Sequence, residues 1–360
     1  MPAERHARGR AGDCRGLSLL RRGLAGLDRR RAALWARRFG LYRRITAHTA
    51  PLTGRLLMKQ LRYIGLPDAL YPLFRQDGYY LLKEHFYRPF TNPDSLPPDY
   101  WARRSELAGI AIDADACLDR ARRDLAPYFT EFRETYPIEK PAEDANGFWL
   151  INGSYMAVDA HLYYALIRHF RPRRVVEVGA GRSTIVAAEA CRRNNVAVPG
   201  SSQLICIEPY PTAIVTGGLA HLAELMQTRV EEVDLGFFES LETGDILFID
   251  SSHALREGGD VQFLYCEVLP RLRPGVAIHV HDVSLPKPYP RVYFDHGWFW
   301  NEQYLLQAYL THNARAEVLW PGNFLMCHRP DEMNALFPEI TVMRRHYPSS
   351  EPSAFWFRTK

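Results

Sequence analysis

Short apolar runs that end in a charged or glycine-rich stretch recur through the middle of this chain. They alternate with segments whose apolar residues repeat at helical spacing. The runs at 175–178 (Val-Val-Glu-Val), 204–208 (Leu-Ile-Cys-Ile-Glu), 245–250 (Asp-Ile-Leu-Phe-Ile-Asp) and 275–282 (Gly-Val-Ala-Ile-His-Val-His-Asp) predict strands buried on both faces. A weaker run at 228–233 predicts another. Residues 156–170 set Val158, Leu162, Ala165, Leu166 and Phe170 near helical spacing, and a second helix is expected from about Ile185. The segments 316–320 and 324–328, joined by Pro321-Gly322-Asn323, predict a hairpin that would make the sheet antiparallel at its end. This alternation is that of a doubly wound α/β fold, whose ligand crevice lies at the carboxyl ends of the strands. Glu208, Asp234, Asp250 and Asp282 fall at or just behind such ends, so they are expected on one rim.

The stretch at 175–183 (Val-Val-Glu-Val-Gly-Ala-Gly-Arg-Ser) passes straight from strand to glycine turn. Gly179 and Gly181 give the backbone freedom and let a ligand come close, and Ser183 and Thr184 are expected to cap the following helix. A dinucleotide fingerprint would need glycine or alanine where Thr184 stands, and a P-loop would need Gly-Lys-Ser/Thr, which is missing. Glu177-Val178-Gly179-Ala180-Gly181 instead resembles the first motif of the class I S-adenosylmethionine-dependent methyltransferases. Residues 148–329, with Phe-Ile-Asp-Ser-Ser-His and His-Val-His-Asp after the fourth and fifth strands, resemble a poorly characterised bacterial small-molecule group of that superfamily. The resemblance implies a Rossmann-like, seven-stranded, mostly parallel sheet with an antiparallel last strand. It implies that Glu177, Gly179, Gly181, Ser183, Glu208, Asp234 and Asp250 surround S-adenosylmethionine. Glu177 would face the amino-acid end, Glu208 would bind the ribose hydroxyls, and Asp234 would lie on the adenine side.

Acceptor chemistry is expected from His253, His281 and Asp282. His279 and His281 share one strand face, Ile278 and Val280 the other, and the plain reading of His279 is a packed residue hydrogen-bonded within the sheet. Asp250 and Asp282 resemble the strand-end carboxylates that hold magnesium in catechol-type O-methyltransferases. Val283 stands where that family has asparagine, and the nearby histidines favour a softer ion or none. Two mechanisms follow for methyl transfer to a hydroxyl of a small-molecule or glycan-type acceptor. Either a divalent metal on Asp250 and Asp282, joined by His253, lowers the hydroxyl pKa, or His253 or His281 takes the proton directly.

Upstream, 146–155 reads as a loop and 114–132 as a helix, while Asp159 and Tyr163, four apart on one helical flank, either meet at the cleft or, the favoured reading, are a surface carboxylate and a half-buried tyrosine. Tyr293, Phe294, Trp298 and Trp300, following the prolines at 286, 288 and 290, suit an aromatic flap that shapes an acceptor pocket. The domains expected are a poorly ordered leader (1–45), a helical cap over one side of the cofactor cleft (46–145), the methyltransferase domain (146–330) and a C-terminal extension (331–360).

Composition changes this picture at one end of the chain. Residues 1–45 carry thirteen arginines against Glu4, Asp13 and Asp28, a segment at +10 in a chain at +4 overall. No long apolar stretch points to a secretory signal or a membrane span. The six scattered cysteines, with no Cys-x-x-Cys pair, suit free buried thiols and a cytoplasmic protein. No membrane span is expected, and a homo-oligomer is an open alternative to a monomer. Two rivals differ in class. A nicotinamide-dependent oxidoreductase would place its acid about 20 residues after the first glycine, whereas Glu208 lies 29 after Gly179. A binding scaffold would use the basic arm on nucleic acid or an anionic membrane, but the rest of the chain lacks interleaved basic and aromatic residues, so a nucleic-acid partner is not expected.

Overall fold

In the computed structural model, residues 84–142 and 147–360 are described, together with 75, 76, 78, 80 and 82. The arginine-rich 1–45 segment, and most of residues 46–83 of the expected cap, lie outside the described residues. Residues 1–88 and 89–360 are separate compact units, and the account below concerns the second.

Seven strands form one sheet: β1 (Arg174–Val178), β2 (Gln203–Ile207), β3 (Leu222–Met226), β4 (Ile246–Ile249), β5 (Ala277–Val280), β6 (Ala316–Pro321) and β7 (Phe355–Thr359). Their order is β3-β2-β1-β4-β5-β7-β6. The first five pair in parallel, and β7 runs antiparallel to both β5 and β6. The order reverses at β1 and β4, so the crevice opens where both strands end.

Alternate residues of the continuous apolar runs feed two cores. Val175, Leu204, Cys206, Ile246, Phe248 and Trp356 face one side, and Val176, Val178, Leu247, Ile249, Ile278 and Phe357 the other. The first core is covered by α1 (Ala114–Arg120), α2 (Ala126–Thr135), α3 (Asp159–Phe170) and α4 (Arg182–Ala197). The second is covered by 260–271 and by α5 (Glu302–Leu310). Between α1 and α2 the helix passes through a π-helical turn, Ala121–Leu125. Among the described residues no helix is long and apolar enough to cross a membrane.

Several expectations are corrected. The third strand is Leu222–Met226, while 230–232 form a 3-10 turn. An edge strand paired on one side needs no continuous apolar run, and β3 is half exposed, so its pattern was weak. Residues 322–328 form a helix rather than the second arm of a hairpin, and β7 fills the place between β5 and β6. Residues 355–359, expected beyond the domain, thus supply a central strand whose side chains are mostly buried. Helices α1 and α2 pack on α3 and border none of the cavities at the strand ends, whereas Trp101, from the same region expected as a cap, lines one of them. Of the five described cysteines, all free, Cys117, Cys191 and Cys206 are buried, Cys327 partly so, and Cys266 is exposed.

Candidate active site

The rim is set by how tightly β1, β2 and β4 end together. The Gly179 N–H donates to the Ile207 carbonyl at 3.0 Å, and the Asp250 N–H donates to the Val178 carbonyl at 2.9 Å. Gly179 has φ +87°, and a Cβ on it would stand 1.9 Å from the Asp250 carbonyl oxygen. Only glycine fits both constraints. Gly181 differs: its backbone is extended (φ −166°) and a Cβ would meet nothing within 4 Å. The helix begins at Arg182, so Ser183 sits inside its first turn, and it is Thr184 Oγ1 that accepts the Gly181 N–H at 2.9 Å. The expected cap at Ser183 is therefore corrected.

Glu208 closes the other side of the loop. Its Oε2 accepts from the Ala180 N–H at 3.2 Å and its Oε1 from the Tyr210 N–H at 2.7 Å. Beyond it a cavity of ≈ 610 Å³ is lined by Gly179, Glu208, Val230, Glu231, Asp250 and Ser252, among others. Two expected wall residues are elsewhere. Glu177 is fully buried beneath the loop, where Cys206 Sγ donates to its Oε2 at 3.3 Å; burial pushes its carboxyl up to about 7 against the pull of the Ser183 and Thr184 hydroxyls. Asp234 is exposed and caps the turn 235–239 by accepting the Gly236 N–H at 2.8 Å. With β3 ending at Met226, the chain reaches the cavity at Arg229, Val230 and Glu231, before Asp234.

On the far side of Asp250 two imidazoles meet two carboxylates. His253 Nε2 lies 3.3 Å from Asp250 Oδ1 and 3.4 Å from Asp282 Oδ2. Its Nδ1 lies 2.8 Å from Glu302 Oε2, a carboxylate with no exposed surface. The His253 carbonyl accepts the Asn301 and Glu302 N–H groups at 3.0 and 3.2 Å, which ties this loop to the start of α5. Both His253 and Asp282 have positive φ, +56° and +54°, so two non-glycine residues hold strained backbone side by side. Burial opposes a charge on His253, but hydrogen bonds to Asp250 and Glu302 outweigh it and hold the imidazole well above its ordinary value.

His281 reaches the same carboxylates from β5. Its Nδ1 is 3.3 Å from Asp282 Oδ1 and 3.9 Å from Asp250 Oδ1, and its Nε2 is 3.6 Å from Asp159 Oδ2. None of these contacts has hydrogen-bond alignment. Burial works against its charge, yet Asp282 and Asp250 lift it to about 9. Asp282, despite burial, is held at about 2 by His281 and His253. Asp159 is buried and accepts from the Ser353 and Ala354 backbone, and Tyr163 is wholly buried, which corrects the surface reading of this pair. His279 stacks on Phe248 (ring centroids 4.1 Å apart, 3° between planes) with neither ring nitrogen hydrogen-bonded, so it is packed as expected but unbonded. Burial pushes it well below the usual imidazole value.

Asp250, His253 and Asp282 each bring a ligand atom to within 4.8 Å of the others. That donor set, with Glu302 orienting the remote nitrogen of His253, fits a divalent cation. His281 and Asp282 also face two further cavities, of ≈ 440 Å³ over the glycine loop and ≈ 480 Å³ toward Lys287 and Glu351. His253 lines neither. The structure therefore brings His281 and Asp282 to the open space and keeps His253 behind the carboxylates.

A family model described as a methyltransferase domain matches residues 176–283, the span from β1 to the residue after Asp282. The chain belongs to the class I S-adenosylmethionine-dependent methyltransferases. An uncharacterized protein of Archaeoglobus fulgidus is 39% identical to this methyltransferase over 164 residues, covering 44% of this chain and 72% of its own length. Among solved structures, the O-methyltransferase from Bacillus cereus in complex with S-adenosylhomocysteine aligns over 70% of this chain and 93% of its own, at 16% identity and TM-score 0.31. The plantazolicin methyltransferase BpumL, also with S-adenosylhomocysteine, aligns over 69% and 95%, at 11% identity and TM-score 0.29. At these scores the alignments add nothing to the fold read from the sheet itself.

Three residues of the methyltransferase site were missed by sequence reasoning. Glu231 stands after a strand whose pattern was faint. Asp159 lies on a helix, where a carboxylate reads as surface. Glu302 had a signal: a lone acid in the aromatic stretch Trp300-Asn301-Glu302-Gln303 that ends buried.

Proposed function

We propose that this methyltransferase transfers a methyl group to a hydroxyl of a small-molecule acceptor. The reading rests on one observation: Asp250, His253 and Asp282 converge beside the loop that runs from Gly179 to Glu208. S-Adenosylmethionine supplies an electrophilic methyl on a sulfonium. Glu208 would take the ribose hydroxyls, as a strand-end carboxylate with both oxygens already oriented by backbone N–H groups. Val230 and Glu231 would flank the adenine. A divalent cation on Asp250, His253 and Asp282 would lower the pKa of the acceptor hydroxyl, and a histidine ligand favours manganese- or zinc-like ions over magnesium.

His281 is the group placed to receive the hydroxyl proton, since it faces the acceptor space and is backed by Asp159. Its raised pKa comes from the charge of Asp282 and Asp250, so neutralising those carboxylates frees it to act as a base. Methyl transfer would form the O–CH3 bond as the S–CH3 bond breaks, with the His281 imidazole holding the displaced hydroxyl proton. Calorimetric titration tests the reading. S-Adenosylhomocysteine should bind, Glu208→Ala should weaken it at least tenfold, and NAD should give no heat. Binding of manganese should be lost in Asp282→Ala. NAD binding in place of S-adenosylhomocysteine would refute the proposal.

A further inference from the structure

We infer that Arg182 binds the carboxylate at the amino-acid end of S-adenosylmethionine. The inference rests on the methyl-transfer reading above and concerns the end of the cofactor that Glu177, buried beneath the loop, does not reach.

Among the lysines and arginines that line the three cavities at the strand ends, Arg182 stands apart by its pairing. Arg229 joins Glu232 at 2.7 Å and Arg256 lies 3.6 Å from Asp260. Lys287 pairs with Glu351 and Arg291 with Asp94. Arg182 lines the ≈ 440 Å³ cavity, is half-buried, and makes no ion pair among the described residues. The same cavity holds Asp250 and Asp282, where four carboxylates share two imidazoles. It therefore offers one unpaired cation and, apart from it, a surplus of negative charge. S-Adenosylmethionine carries the complementary set: a sulfonium and an ammonium group, and one carboxylate. Set among Asp250 and Asp282 that carboxylate would be repelled, whereas beside Arg182 it meets an uncompensated charge.

The guanidinium is also held in place by the protein itself. Its Cζ lies 4.1 Å from the ring centroid of Trp149, and its Nη1 donates to the Gly147 carbonyl at 3.4 Å. Trp149 is buried, and its indole N–H donates to the Ile151 carbonyl at 3.1 Å. Asn152 pins the turn that follows, donating to the Trp149 and Tyr155 carbonyls at 2.9 and 2.8 Å. A guanidinium stacked on a fixed ring has little freedom left to lose when it binds. One hydrogen bond leaves most of its N–H donors for a ligand, and their fork matches a carboxylate. Position assigns that carboxylate to the cofactor. Arg182 directly follows Gly181, and Glu208, which lines the same cavity, is tied to the same loop through the Ala180 N–H. A cofactor whose ribose lies on Glu208 thus carries its amino-acid arm along residues 179–182.

The test is calorimetric titration of the full chain with S-adenosylhomocysteine and with its decarboxylated analogue, S-adenosyl-3-thiopropylamine, which keeps the amine and lacks only the carboxylate. The wild type should prefer S-adenosylhomocysteine about tenfold or more, as for loss of one charge-assisted pair. Arg182→Gln keeps a side chain over Trp149 and removes the charge. It should bring the two affinities to within about threefold of each other by weakening S-adenosylhomocysteine alone, while Arg182→Lys should keep part of the preference. Equal affinity of the wild type for the two ligands, or a preference unchanged in Arg182→Gln, overturns the assignment of Arg182 alone. Failure of S-adenosylhomocysteine to bind the folded wild type overturns the methyl-transfer reading as well.

Discussion

The two glycines of the cofactor loop make opposite predictions when each is replaced by alanine. At Gly179, φ of +87° forces a left-handed backbone on an L-residue, a cost of roughly 1–2 kcal/mol. The new Cβ would lie 1.9 Å from the Asp250 carbonyl oxygen, so about 1.5 Å of movement is needed to reach ordinary contact. Two hydrogen bonds resist that movement, Gly179 N–H to Ile207 and Asp250 N–H to Val178, each worth about 1 kcal/mol. The expected loss is about 3–4 kcal/mol, a drop of roughly 4–5 °C in melting temperature for a chain of this size. Gly181→Ala has extended backbone and open space around its Cβ, so its stability should stay within about 0.5 kcal/mol. Its methyl nevertheless enters the ligand space above the helix start, so affinity for S-adenosylhomocysteine should fall while the fold holds. Thermal denaturation and calorimetry on both variants decide the matter. A Gly179→Ala protein that melts like the wild type, or a Gly181→Ala protein that is the less stable of the two, would refute the reasoning.

Glu177 predicts a pH dependence. Its carboxyl titrates at about 7 when folded and 4.5 as a free group, so the folded protein holds the extra proton between those values and stability falls as pH rises across them, by about 3 kcal/mol; Glu177→Gln should abolish that slope in denaturation series at pH 5 and 8. Glu339 joins Arg133 at 2.6 Å and lies 3.7 Å from the fully buried His161, so Glu339→Ala should cost about 3 kcal/mol by urea denaturation. His281→Gln should lower kcat at least a hundredfold without weakening S-adenosylhomocysteine, whereas His253→Ala should abolish metal dependence; unchanged turnover in both variants would sink the acid–base assignment.

What could be read from residues alone follows the strength of local pattern. Strands β1, β2, β4 and β5 are buried on both faces, so their apolar runs were unbroken, and the carboxylates that end β2, β4 and β5 (Glu208, Asp250 and Asp282) stood in view. The edge strand β3 gave no such run, and with it went the position of Glu231 and the misplacement of Asp234. Strand β7 (Phe-Trp-Phe-Arg-Thr) is plainly strand-like, but its place between β5 and β6 depends on antiparallel pairing across a long separation, which local pattern does not encode. Asp159 and Glu302 were hidden for a related reason. A helix carboxylate reads as solvated until tertiary packing buries it, Asp159 under the 353–354 backbone and Glu302 behind His253.

The charge balance of the Asp/His cluster carries one more prediction. Asp250, Asp282, Asp159 and Glu302 surround only two imidazoles, and no lysine or arginine makes an ion pair with any of these four among the described residues. Even with both histidines charged, four carboxylates outnumber the cations. Burial pushes Asp159 and Glu302 toward their protonated forms, the direction expected when negative charge is left in excess. A divalent cation among Asp250, His253 and Asp282 would remove the excess and compete with the protons held there. Binding of manganese should therefore release about one proton or more per ion. Calorimetric titration in buffers of different ionisation enthalpy reads that number directly, and a melting temperature that rises with manganese gives a second, independent sign. Binding without proton release, or no binding with the melting temperature unmoved, would mean that the histidines alone balance the carboxylates and that the cluster works by acid–base chemistry without a cation.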